Sequence, residues 1–131
     1  PLLVPDAFAG ERLAGYRRGA AAHPDSALRR FHLAIAYGMR RRFADGAREL
    51  DAALARLPAD APDAGAQVLR ADVLLGLAQY RAAQGQAEAS AAALAAYLET
   101  VAKLRDGMRS RDPFVRAEFD LVLERRRPAG G

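Results

Sequence analysis

The chain has 131 residues, 51% of them hydrophobic, with 20 basic and 16 acidic side chains for a net charge of +4, and it contains no cysteine. That length suits one domain better than two, and the missing cysteine excludes disulfides, thiolate metal sites and a cysteine nucleophile. No apolar stretch approaches the ~18 residues of a membrane span, so a soluble segment is expected.

Alanine, leucine and arginine dominate over the β-branched and aromatic residues that favour strands, so the expected fold class is all-α. Pro5 and Asp6 open a predicted helix that runs to about Ala22, with Phe8, Leu13 and Tyr16 as its larger apolar residues. Its partner helix would precede Pro1. A chain that starts without methionine is expected to be processed or cut from a longer one, and its compartment stays open, cytoplasm or periplasm alike. His23-Pro24-Asp25-Ser26 reads as a turn, with Asp25 or Ser26 as the cap of a second helix. At ~100° per residue the apolar side chains of that helix form two stripes: Leu28, Phe31, Ile35 and Met39 on one side, Leu33 and Tyr37 on the other. A helix apolar on two sides is covered on two sides.

The run Gly38-Met39-Arg40-Arg41-Arg42 reads as the next turn, followed by a helix from about Phe43 to Leu57 with Ala47, Leu50, Ala53 and Leu54 in one stripe. Residues 59–65 form a loop. A second hairpin is expected over about Ala66 to Ala83 and Ala87 to Arg105, turning at Gln84-Gly85-Gln86 and stopping at Asp106-Gly107. Asp112 and Pro113 then serve as cap and first-turn proline of a helix over 112–124, whose Phe114, Val115, Phe119 and Val122 are suited to closing the last hairpin. Arg125, Arg126 and Arg127 begin a basic tail, 125–131, that is expected to fray. Most of the basic excess lies from Lys103 onward, where 8 basic residues face 5 acidic ones.

Pro24 and Pro58 lie 34 positions apart, and the same offset relates Leu13 to Ala47, Tyr16 to Leu50, Gly19 to Ala53 and Ala20 to Leu54. Register resumes downstream with an offset of 44, pairing Phe31 with Leu75, Leu33 with Leu77, Ala34 with Ala78, Ala47 with Ala91, Leu50 with Leu94 and Leu54 with Leu98. An insertion of about ten residues in the connecting loop explains the change. The segment from Ser26 to Pro58, with Leu33, Ala34 and Tyr37 on one helix and Phe43, Ala47, Leu50 and Ala53 on the next, resembles a tetratricopeptide repeat. Arg30, Arg41 and Gly46 depart from that pattern, standing where an aromatic, a turn glycine and an alanine are usual.

The resemblance implies antiparallel helical hairpins stacked as a short right-handed solenoid: a half repeat over 5–24, repeats over 26–58 and 66–106, and the closing helix, in a single domain spanning 1–124. It also implies that the chain binds other proteins. The Leu33/Tyr37 side matches the family's packing positions, and the other side its concave groove, with Leu28, Phe31, Ile35 and Met39 on one helix and Asp72, Leu75 and Gln79 on the next. Apolar residues in those places point away from the family's carboxylate clamp and toward an apolar ligand. A scaffold for a peptide or partner subunit is therefore expected; the alternative is a fixed structural or accessory subunit of a larger, membrane-attached assembly.

Little else in the chain suggests chemistry. His23 and His32 lack an acidic or histidine partner at helical metal-ligand spacing. Asp60 and Asp63 lack an EF-hand frame and read as loop solvation, and Asp45, Glu49 and Asp51 read as a solvated face. There is no nucleophile elbow, phosphate loop or dinucleotide fingerprint, so neither an enzyme nor a cofactor is expected. Arg40, Arg41 and Arg42 in the turn and Arg125, Arg126 and Arg127 in the tail are candidates for weak, salt-sensitive contact with an anionic surface. Nucleic acid is not an expected partner, because the aromatic residues that could stack on bases are assigned to helix packing.

Overall fold

Ser26 and Asp63 show how side chains set the helix starts. The Ser26 hydroxyl accepts from the Arg29 amide at 3.1 Å and the Asp63 carboxylate from the Ala66 amide at 2.9 Å, each satisfying a donor that an α-helix leaves open at its first turn. In the computed structural model, which describes residues 6–108 together with Pro113 and Ala117, these caps belong to two of five helices. They are α1 (Asp6–Ala22), α2 (Ala27–Met39), α3 (Phe43–Leu54), α4 (Ala64–Ala83) and α5 (Ala87–Met108). No strand occurs among the described residues, and the fold is all-α. The remainder of the expected closing helix, with Phe114, Val115, Phe119 and Val122, and the Arg125–Arg127 tail lie outside the described residues; Pro113 and Ala117 are both helical.

Each helix packs on the one that follows it, and α2 also touches α4. The larger core cluster lies along α3 and α4, where Leu50, Leu77 and Val73 are fully buried and Ala34, Ala53, Ala78 and Ala93 close the gaps between helices. A second cluster joins α1 to α2 through Leu13, Ala20, Leu33, Ala36 and Tyr37. So the Leu33/Tyr37 side of α2 is covered by α1, and its Ala34 side belongs to the α3–α4 core.

Several boundaries differ from the sequence reading. Gly38 is inside α2, and the turn begins only at Arg40. Helix α3 ends at Leu54 and not at Leu57, because the chain tightens into i→i+3 bonds from Arg56 to Ala53 and from Leu57 to Leu54 ahead of Pro58, which disfavours helix in the residue before it. The Asp63 cap lets α4 start at Ala64, and α5 continues through Asp106 and Gly107 to Met108. A glycine costs a helix about 1 kcal/mol, too little to end one this long.

Gly46, which departs from the repeat pattern, has a specific neighbour. Tyr80 of α4 inserts its ring between α2 and α3: a Cβ on Gly46 would come within 2.6 Å of Tyr80 Cε2, and a Cβ on Gly38 would run into Tyr80 Oη. The hydroxyl donates to the Ala34 carbonyl at 3.1 Å, and the Phe43 ring lies 5.4 Å away, centroid to centroid. Burial pushes the Tyr80 hydroxyl above its ordinary pKa. Two glycines thus open the slot in which one tyrosine ties three helices together.

Candidate partner-binding face

Of the residues expected to line a groove on α2, Leu28, Ile35 and Met39 lie on the side that neither α1 nor the α3–α4 core covers. Leu28, Ile35 and Met39 are 49%, 38% and 70% exposed, an unusual state for three large aliphatic side chains on one face of one helix. Phe31 is different. It is half-buried against the α3–α4 core and so contributes an edge to the face. His32 shares this side, its ring 6.1 Å from Tyr16 of α1 and 6.3 Å from Phe31, which carries the exposed surface onto α1. On α4, Leu75 and Asp72 are half-buried and Gln79 is exposed; Asp72 is already engaged with a partner.

Two of the three carboxylates expected to form a solvated face, Glu49 and Asp51, connect helices, and Asp45 makes local pairs. Glu49 pairs with Arg30 of α2 at 2.9 Å, both side chains only about a fifth exposed, and Arg30 also donates to the Pro24 carbonyl at 3.0 Å. The arginine that stands in the aromatic position of the repeat pattern therefore joins α2 to α3 through an ion pair. Asp51 pairs with Arg81 of α4 at 2.6 Å, and Asp45 with Arg42 and Arg48. Arg42 in addition stacks over the Tyr37 ring at 4.8 Å. Of the turn arginines proposed to meet an anionic surface, Arg42 is thus already occupied, while Arg40 and Arg41, like Arg29, have no carboxylate partner among the described residues. Arg41 holds the left-handed conformation, φ 58°, that a turn glycine adopts without strain.

Two shallow clefts of about 270 Å³ lie elsewhere. One, between α1 and the α2–α3 pair, is lined by Arg17, Leu33, Tyr37 and the Arg30–Glu49 pair. The other lies under residues 59–62, which Gln67 holds by donating to the Ala59 and Ala61 carbonyls. Asp63 is spent on its cap, and no group of three or more histidine or carboxylate side chains able to hold a metal occurs among the described residues. No described helix is long and apolar enough to cross a membrane.

Charge divides along the helix order. Residues 6–42, spanning α1, α2 and their turns, hold eight arginines against three carboxylates, a net of +5; residues 43–108 hold six basic groups against nine acidic ones, a net of −3. The exposed apolar face lies at the positive end. Dividing the chain at Lys103 conceals this contrast, because the helix boundaries decide which charges travel together.

Comparison of the chain with protein-family models, with curated proteins and with solved structures gives no match. The likeness to a tetratricopeptide repeat therefore rests on the residues named above.

Proposed function

We propose that this chain is a tetratricopeptide-like helical-hairpin scaffold that holds a peptide or partner subunit on the apolar face of α2. The exposure of Leu28, Ile35 and Met39 carries the reading. A helix with two other sides already packed has no folding need for a third apolar stripe, and large apolar surface left in water marks interaction sites. The pairing of each helix with its successor, the contact between α2 and α4 and the shared register of Leu33/Leu77 and Ala34/Ala78 support stacked hairpins. The role is one of binding without catalysis or a cofactor. A photo-crosslinking residue at Met39 should form an adduct with a protein partner in the cells that make this chain, while one at exposed Gln84 should not. Adducts at Gln84 and none at Met39 would overturn the assignment.

A second reading is favoured by Leu94 and Leu98 of α5, which are also exposed. With two apolar faces, the chain is a fixed subunit of a larger assembly. Sedimentation of the isolated chain separates the two: a scaffold runs as a 14.1 kDa monomer, whereas an orphaned subunit self-associates, and Ile35→Gln or Leu98→Gln disperses it.

A further inference from the structure

Building on the reading of α2 as a docking face, we propose that its occupant is an amphipathic helix whose apolar seam is flanked by acidic side chains. Leu28, Ile35 and Met39, with Phe31 and His32 between them, place one contact on each successive turn of α2, the spacing at which a second helix supplies its own residues once per turn. From first to last the stripe covers about 16 Å of helix axis. The described residues contain no strand edge on which an extended peptide could add.

Charge complementarity sets the flanks. From Ser26 to Ala44 the chain carries five arginines and no carboxylate. Glu49 pairs with Arg30, and Asp45 is shared between Arg42 and Arg48. Arg29, Arg40 and Arg41 are left without a carboxylate partner among the described residues, within an end of the molecule that carries a net of +5. A basic partner would meet like charge there, and an acidic one is attracted and oriented. Asp72 of α4, a single half-buried carboxylate that already has an interaction, is outnumbered by these three arginines. An anionic lipid surface would meet the same mixture of groups. Three exposed aliphatic side chains with three arginines, however, make only a single weak anchor on lipid, whereas a helix can also cover the half-buried Phe31 of the same stripe.

The test uses the full chain and two designed helical peptides with the same apolar seam, one flanked by glutamates and one by lysines, with binding read by fluorescence anisotropy. The glutamate peptide should bind about tenfold more tightly at low salt, with the gap narrowing as salt rises. Arg29→Glu combined with Arg40→Glu should remove that preference, and Ile35→Gln should weaken binding of the acidic peptide. Equal affinity for both peptides, lost in Ile35→Gln, overturns the acidic partner and leaves the docking face standing. Binding of neither peptide overturns the docking face as well, and if phosphatidylserine vesicles then bind, the face is directed to lipid.

Discussion

The α2–α3 and α4–α5 hairpins share a register and differ in what surrounds them. Leu50 of α3 is fully buried, while Leu94, its counterpart on α5, is 44% exposed; Leu54 is half-buried, and its counterpart Leu98 is 58% exposed. Helix α4 packs on α3 of the first pair, whereas α5 keeps Leu94 and Leu98 exposed. On the first helices the contrast runs the other way, since Leu28 and Ile35 of α2 stand in water where α4 has Asp72 and Gln79. Helical periodicity thus determines that helices form and which way they face. Burial is decided by the next element in the stack, and an apolar residue kept on an uncovered face needs a reason outside the fold.

The largest effect should come from the buried half of that comparison. Leu50→Ala should destabilise the domain by about 2–5 kcal/mol, and Leu94→Ala by well under half as much in chemical denaturation, because only the first leaves a cavity. Equal losses would show that α5 is covered in solution. The Tyr80 slot comes next. Gly46→Ala would gain up to about 1 kcal/mol from helix propensity in open space, but here it should cost about 1–3 kcal/mol by forcing the ring aside, and pairing it with Tyr80→Ala should reverse the sign of the effect.

Tyr80 also makes stability depend on pH. Its folded pKa is raised by burial above the ordinary 10.0, so the folded state holds the proton more tightly than the unfolded chain does. That contribution is complete below about pH 10 and declines as pH rises through the folded pKa. Wild-type denaturation midpoints measured from pH 9 to pH 11 should fall more steeply than those of Tyr80→Phe; parallel curves would contradict the burial. The smallest effect is local to the turn. Arg41→Gly should stabilise by about 0.5–1 kcal/mol by relieving the left-handed backbone, whereas Arg40→Gly should not.

Much of this architecture was legible in local sequence. Asp6 and Ala22 bound α1 as the pattern predicts, Ser26 caps α2, and the two stripes of α2 follow from 3.6-residue periodicity. What escaped involves partners distant in the chain. Nothing near Gly46 tells that Tyr80 needs its missing Cβ, although a glycine inside a helical pattern is a signal of a packing constraint; Gly38 reads from sequence as part of the turn. The Arg30–Glu49 and Arg81–Asp51 pairs look like ordinary surface charge until the helices are packed. The half-burial of Phe31 was equally hidden: it lies on the same stripe as Ile35 yet leans on the α3–α4 core, so Ile35 and Met39 make cleaner probes of the face than Phe31 does.

The central claim is that the Leu28/Ile35/Met39 stripe is external surface and not core. Thermal unfolding of the Ile35→Gln/Met39→Gln variant, followed by circular dichroism beside wild type and Leu50→Ala, tests it most directly, since glutamine keeps helix propensity and adds no charge. The account predicts a melting temperature lowered by about 5 °C or less, with unchanged helicity and a far larger drop for Leu50→Ala. A double variant as unstable as Leu50→Ala would contradict it, placing the stripe inside the fold.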